Sequence, residues 1–549
     1  MAVVALGGTA FALSRLPQMF VRYVVTVMAS QRYSLQVLGM KNIPSTGGVL
    51  LLGNHASWFD WAVLQIACPR PIRYVMLRSI YEMPVLKGLL RVFGVIPIAP
   101  GKDADESLAK VREALQNGDV VAIFPEGRIS RNGQLAVFKR GFERALEGLQ
   151  PNAHGEEAVI IPFYLRGLWG TAFSYATRHQ QQSGILHSAK RGKRIVTVAF
   201  GERMAASSTS VEVKQKVTEL SIHAWRNYAQ TLGTVHEAFL TTAKRFALDV
   251  ALVNRDKRRL TSINLLSQSI RCAQALKRTA ADKKVGVLLP TSAEGVITTL
   301  ALMMNGQTPV LLDYTHSAED IAAGIRMESL RVVITSKSFW EECSQHYPAI
   351  AEIRSTVRLV FFDELAISLY PSFTRGLFLR LAPKALVRGL YFAKHHAHTS
   401  AVTVFAGKAE TLRPVSFSHE HLLTTIHQIT ETLNPHDDDT VLAVLPLCTA
   451  FGLLTSVLMP LVSGLELVCA ENTDILTFGK LSAMTEATLL FAEPWQLRVF
   501  AASEQLHPLM LGGLRFAVTG SNGEAETLDT ATEAAFKQKF GVHIYEGFG

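Results

Sequence analysis

Four consecutive apolar residues, Val49-Leu-Leu-Leu52, run straight into Gly53-Asn54 and then, from Trp58 to Ala67, into an apolar segment with helical spacing. A short apolar run bounded by a turn signal reads as a strand buried on both faces, and such a strand needs helices above and below it. The surrounding chain is therefore expected to fold as layered α/β structure. His55 falls where the strand gives way to the helix, with Asp60 five residues on. On one continuous helix the two side chains would face different ways, but across a turn the carboxylate reaches back to the imidazole. A carboxylate equips an imidazole to act as a general base, because it fixes the tautomer and stabilises the imidazolium formed. Taken alone, the pair reads equally well as a helix-capping Asp beside a surface His.

Three further strand signals follow: Gly94-Val-Ile-Pro-Ile98, Val120-Val-Ala-Ile-Phe-Pro-Glu-Gly-Arg128 with Ile129-Ser130 after it, and Val159-Ile-Ile-Pro162. Together with Asn54, His55 and Asp60, their order resembles the four sequence blocks of the glycerophospholipid acyltransferase family. Those blocks are Asn-His-x4-Asp, Gly-x-Ile-Pro-Ile, Phe-Pro-Glu-Gly-x-x-Ser and a hydrophobic run ending in Pro. The resemblance implies that His55 and Asp60 are catalytic, His55 taking a hydroxyl proton and Asp60 orienting it. It also implies that Glu126, Gly127, Arg128 and Pro162 bind the substrate, a lysophospholipid whose glycerol carries a phosphate. The residue types suit that role: Gly127 lets the backbone approach a ligand, and a guanidinium offers phosphate a planar fork of donors. A plain surface loop carrying a Glu and Arg pair is the alternative. Lys139-Arg140 extends the basic surface or is simply solvated. No metal is implied for acyl transfer.

At 549 residues the chain is too long for one ordinary core. Its formal charge of +9 points to nucleic acid or anionic lipid. Without a zinc knuckle, RNA-binding sheet motif or basic zipper, nucleic acid is not an expected partner and a lipid surface is. The five cysteines are scattered without Cys-x-x-Cys spacing and read as reduced, buried thiols. No apolar run reaches membrane-spanning length. From Phe11 to Ala29 the apolar residues recur at three and four residue spacings, the pattern of an interfacial helix or of an ordinary core helix. The expected organisation is an interfacial segment over 1–32, an acyltransferase domain over 33–235 and a second α/β domain over 236–549. The expected location is the cytoplasmic face of the inner membrane, peripheral or interfacially anchored.

The second half repeats the strand–helix alternation, with strands expected at Lys284–Leu289, Thr308–Asp313, Arg331–Thr335 and Val357–Phe362 and a helix at Glu294–Met304. Ser416-Phe-Ser-His-Glu-His-Leu422, Leu445-Pro-Leu-Cys-Thr-Ala-Phe-Gly-Leu453 and Tyr545-Glu-Gly-Phe-Gly549 resemble motifs of the adenylate-forming superfamily, which includes acyl-CoA and acyl-carrier-protein synthetases. Acyltransferase first and synthetase second is the order of the bifunctional acyltransferase and acyl-carrier-protein synthetases. That resemblance implies acyl transfer from acyl carrier protein or acyl-CoA to a 2-acylglycerophosphoethanolamine-like lysophospholipid. The alternative is ATP-dependent acyl-carrier-protein synthetase activity, with ATP and Mg²⁺ as cofactors only if that half is active. Gly407, Lys408, Thr411 and Phe548 take the nucleotide-binding positions. The departures are at the phosphate loop, which needs small residues so that amides converge on a triphosphate. Phe405-Ala-Gly-Lys-Ala-Glu-Thr-Leu-Arg-Pro-Val415 keeps Gly407 but has Glu410 within it, and Thr449 stands where the family has His. The sequence also stops before the family's remaining nucleotide ligands, so the synthetase half is expected to be a fragment or decayed.

Residues 365–409 contain no Asp or Glu, while Arg380, Lys384 and Arg388 recur every four residues among Phe378, Leu381, Leu386 and Leu390. This is the pattern of a basic amphipathic segment suited to anionic lipid, or of a pair of short surface helices divided at Pro383. His395, His396 and His398 read as exposed residues rather than metal ligands.

Overall fold

The computed structural model describes residues 17–99, 104–131, 133–171, 173–175, 193–315, 317–346, 350, 353–365, 373–436, 438–471, 473–520 and 528–547. The chain divides into two compact units, Met1–Tyr228 and Ala229–Gly549.

The first unit is built on strands β1 (Tyr33–Leu38), β2 (Val49–Gly53), β3 (Ile72–Leu77), β4 (Ile96–Ile98), β5 (Val120–Ile123), β6 (Val159–Arg166), β7 (Arg194–Phe200) and β8 (Met204–Ala205). They form one sheet in the order β1-β7-β6-β2-β5-β3-β4, with β8 added to β6. Strand β2 lies between β5 and β6, parallel to both, in the register Leu52 opposite Ile123 and Pro162. Its side chains alternate between the two faces, as the two-residue period of a strand requires. Val49 and Leu51 join Ile161, Phe163 and Val63 in one core, while Leu50 and Leu52 join Ile160, Val111 and Val213 in the other. Burial on both sides explains why this strand reads as an unbroken apolar run. Helix Asp60–Ala67 covers the first face and helices Ala104–Gln116 and Ser210–Gln230 contribute to the second.

Spacing predicts a helix from Trp58, but it begins at Asp60. Residues 57–59 are drawn off the helical path because the Trp58 amide and the Ser57 hydroxyl both donate to the carbonyl of Phe173, at 2.8 and 3.0 Å. The N-terminal helix, Pro17–Arg32, packs on helix Asp60–Ala67, burying Ala29 and leaving Tyr23, Val27 and Met28 exposed. Among the described residues no helix is long and apolar enough to cross a membrane.

The second unit holds two sheets. One comprises β9 (Val250–Val253), β10 (Arg259–Thr261), β17 (Thr440–Ala443), β18 (Glu466–Cys469), β19 (Leu489–Ala492), β20 (Phe516–Thr519) and β21 (Ile544–Glu546), in the order β10-β9-β18-β17-β19-β20-β21. The other comprises β11 (Lys284–Val287), β12 (Thr308–Leu311), β13 (Val332–Thr335), β14 (Arg358–Phe361), β15 (Ser400–Ala406) and β16 (Arg413–Ser418), in the order β14-β13-β11-β12-β15-β16. A single hydrophobic core joins the two. Helix Ala293–Asn305 is buried on nearly every side, which accounts for a sequence with almost no polar face. The basic amphipathic segment forms two short helices, Phe373–Leu381 and Lys384–Tyr391, with Pro383 at the N-cap of the second.

Candidate active site

Parallel pairing of β2 with β5 brings their carboxyl ends side by side, where open α/β sheets place ligands. Gly53 passes so close to β6 that a Cβ there would stand 2.3 Å from the Phe163 carbonyl oxygen, so only glycine fits. Asn54 then prolongs the ladder with its side chain: Nδ2 donates to the Leu165 carbonyl at 2.9 Å and Oδ1 accepts from the Leu165 amide at 2.7 Å.

His55 follows, held from four directions. Its amide donates to Oε1 of Glu126 at 2.9 Å, and its carbonyl accepts from the Ser130 amide at 2.8 Å. Its ring stacks on Phe124 with centroids 4.0 Å apart, and Phe124 in turn meets Phe163 edge-on. Its Nδ1 lies 2.7 Å from Oδ2 of Asp60. The same Oδ2 accepts from the amides of Ala56 and Ser57, at 2.7 and 3.0 Å. An acceptor at that distance places the imidazole proton on Nδ1, so Nε2 carries the lone pair. The His55 side chain is 21% exposed while Asp60 is fully buried. Burial pushes the Asp60 carboxyl above its ordinary range, opposed by the imidazole and the two amides.

Glu126, expected to help hold the glycerol phosphate, is turned toward the protein's own main chain. Its carboxylate is buried, and the second oxygen accepts from the Ala136 amide at 3.0 Å, so both oxygens are spent on main-chain donors. Burial raises this carboxyl too. These bonds fix the backbone at His55 and Ala136, and a buried carboxylate disfavours a second anion beside it. Pro162, also expected at the substrate, lies in β6. Register sets it beside Leu52, on the sheet face opposite Phe163, Phe124 and His55, where it packs against Gly201. Gly127 has φ +69°, and the Lys139 side chain lies over it. Arg128, Lys139 and Arg140 are exposed, so this turn presents cations to solvent.

Sequence reading left Phe124 and Asn54 without roles, although both lie in the quoted blocks. It also missed Phe173, which no motif marks. Trp58, Phe173 and Tyr175 form an exposed aromatic group beside the His55 loop, Trp58 and Tyr175 having ring centroids 6.2 Å apart and Phe173 stacking on Phe59.

In the second unit, Gly407, Lys408, Thr411 and Thr449 line a cavity of about 1060 Å³ with Phe339, Phe478 and Trp495. The turn that carries the first three does not fit a triphosphate. The Lys408 amide donates to Oγ1 of Thr411, the Thr411 amide to the Lys408 carbonyl, and the Leu412 amide to the Ala409 carbonyl, at 3.0, 3.0 and 3.2 Å. A fourth amide of the turn, from Ala409, donates to the Asp320 carboxylate at 2.9 Å. Donors that should converge on phosphate are occupied within the protein, one by a carboxylate. Thr449 caps the following helix, its Oγ1 accepting from the Gly452 amide. Phe548 lies outside the described residues.

Comparison with known proteins follows this division. The acyltransferase family model matches residues 34–166, and the AMP-binding enzyme model matches 239–371 and 413–549, passing over the segment that holds the turn. The chain is 28% identical over 113 residues to the chloroplastic 1-acyl-sn-glycerol-3-phosphate acyltransferase of Arabidopsis thaliana, covering 20% of this chain and 31% of that one. It is 30% identical over 107 residues to the 1-acyl-sn-glycerol-3-phosphate acyltransferase of Borreliella burgdorferi, covering 19% and 43%. The chain therefore spans less than half the length of these relatives. A solved structure of the N-terminal domain of FACL13 from Mycobacterium tuberculosis aligns with a TM-score of 0.48 at 19% identity, over 58% of this chain and 76% of that one.

Proposed function

Since the chain joins an N-terminal domain of the acyltransferase family to a C-terminal domain of the AMP-binding enzyme family, we propose that it moves a fatty acyl group from a thioester donor to the free hydroxyl of a lysophospholipid. The observation that carries this reading is the His55–Asp60 pair, a partly exposed imidazole whose Nδ1 is tied to a buried carboxylate. Nε2 of His55 takes the proton as the lipid hydroxyl oxygen attacks the thioester carbonyl. The carbon–sulfur bond then breaks, and the thiolate leaves and recovers that proton as a thiol. The donor is already activated, so proton transfer and positioning are the protein's main contributions. Arg128 binds the glycerol phosphate, with Lys139 and Arg140 adding to the local positive field. The aromatic group at Trp58, Phe173 and Tyr175 receives the acyl chain.

The work takes place at a membrane surface, in our reading the cytoplasmic face of the inner membrane, and the donor is acyl carrier protein or acyl-CoA. Support comes from the exposed Tyr23, Val27 and Met28 of the N-terminal helix and from the net positive charge. A second reading, ATP-dependent acyl ligation by the second unit, is favoured by the AMP-binding match and the large cavity. The turn at 408–412, with four of its five amides paired within the protein, weighs against it. Purified protein incubated with a mixed lysophospholipid pool and either acyl carrier protein or CoA thioesters, read by lipid mass spectrometry, tests the first reading. Absence of any acylated product sinks it, and AMP release on adding fatty acid, ATP and carrier promotes the second.

A further inference from the structure

The second unit carries a cluster of cations and apolar side chains that neither domain's chemistry uses. Two adjoining clefts, of about 550 and 510 Å³, share Arg271 and Arg375, and Lys277, Arg278, Phe378 and Tyr391 complete most of their walls. Among the described residues no carboxylate lines either cleft. The acids nearest in sequence, Asp363 and Glu364, are engaged by Lys337, through its amide at 2.8 Å and its Nζ at 3.0 Å. Nη1 of Arg375 is buried without a hydrogen-bond partner among the described residues. A buried guanidinium nitrogen with no acceptor is costly unless a ligand supplies one.

The rim is equally informative. Helices Phe373–Leu381 and Lys384–Tyr391 bury Leu379 and Val387 but expose Leu377, Phe378, Leu381, Leu386 and Leu390, with Leu381 at 72% and Leu390 at 58%. Arg380, Lys384 and Arg388 stand among them, and Arg388 meets Glu237 at 3.3 Å. The element is firmly fastened from below. Nζ of Lys244 donates to the carbonyls of Leu379, Arg380 and Ala382, closing the end of the first helix. Leucines presented outward on a fixed scaffold and interleaved with cations match one kind of surface, apolar below and anionic at the rim.

We propose that this helix pair docks on an anionic phospholipid bilayer, its leucines entering the acyl boundary while the Arg271–Arg375 cleft receives a lipid phosphate. An acidic protein would satisfy the cations but would leave the leucines in water. The proposal deepens the membrane reading above and is independent of the acyl-transfer step.

The test uses the full chain and two kinds of vesicle, phosphatidylcholine alone and phosphatidylcholine with phosphatidylglycerol. Tryptophan introduced by Leu381→Trp, at an exposed position that should not disturb folding, is expected to be quenched by brominated acyl chains in the anionic vesicles, beyond the quenching of the parental tryptophans. Replacing Arg271 and Arg375 together by Gln is expected to weaken partition into anionic vesicles about 20-fold at low salt, roughly fivefold per charge, and far less at high salt. Acylation of detergent-dispersed lysophospholipid should be unchanged in that double variant, which separates this proposal from the proposed function. No added quenching at Leu381→Trp overturns the inference. So does a double variant that binds anionic vesicles like the parent but loses an acidic carrier protein, which would make the cleft a protein-docking site.

Discussion

Asp60 answers three donors with a single oxygen. Oδ2 accepts from Nδ1 of His55 and from the amides of Ala56 and Ser57, so one atom fixes both the imidazole and the loop that carries it. The orienting carboxylate is therefore also a structural clamp, and its variants should separate the two jobs.

His55→Ala should abolish acyl transfer while leaving the protein folded, because loss of a positioned base typically costs about 10² to 10⁴ in rate. Asp60→Ala should match it in rate but also lower the melting temperature, because it unpairs the amides of Ala56 and Ser57, with Asp60→Asn intermediate in both because the amide oxygen still accepts hydrogen bonds. Initial rates with a preformed thioester, beside a circular dichroism melt, measure this. Parental turnover in His55→Ala would show that the pair is not the catalytic dyad.

Glu126→Ala should lower both turnover and stability. It strips acceptors from the amides of His55 and Ala136, and each buried unpaired donor costs about 1–3 kcal/mol. Glu126→Gln keeps the shape and one acceptor oxygen and should lose less of both. If Glu126 instead met the substrate phosphate directly, Glu126→Ala would raise KM without moving the melting temperature.

The second unit should lose stability as pH falls. Burial, and then the charge on His395, hold His419 down at about 4, and its Nδ1 accepts from the Val235 amide at 3.3 Å. His236, which faces His419 ring to ring, is lowered further by burial. The unfolded chain takes up protons below about pH 6.5 while the folded site does not, so the loss begins near pH 6.5, and the share from His419 is complete below about pH 4. For His419 alone the gap from 6.5 to about 4 is worth about 3 kcal/mol. Urea denaturation from pH 7.5 to 4.5 should show this slope, and His419→Gln should flatten it. Equal slopes in both proteins would place the effect elsewhere.

Fatty-acid-dependent pyrophosphate exchange should stay at background. Four of the five amides from Lys408 to Leu412 are already paired, and loss of one transition-state donor typically costs about 10² to 10³ in rate. Asp320→Ala frees the Ala409 amide and removes a charge, yet should not restore exchange alone. Clear exchange by the parental protein would make ligation a main activity.

What the sequence revealed depended on the range of the interactions. Val49 to Leu52 and Val120 to Ile123 announce strands because burial on both faces leaves an apolar run, and the His55–Asp60 contact spans only a turn. The partners of Glu126 were hidden because a Glu within a motif looks the same whether it meets a ligand or the amides of His55 and Ala136. The face of Pro162 depends on its register with Leu52, a pairing across 110 residues that no local pattern encodes. The Ala409 amide is likewise taken by Asp320, 89 residues earlier in the chain.

Asn54 has a consequence for how this motif can vary. By imitating a peptide group toward Leu165, its side chain acts as a gauge block that sets how far beyond the sheet His55 begins. One residue inserted between Asn54 and His55 would leave the gauge in place and carry the imidazole past both Phe124 and Asp60. Length changes belong in the loops between strands, and the seven residues from Asn54 to Asp60 form an interval whose count is fixed.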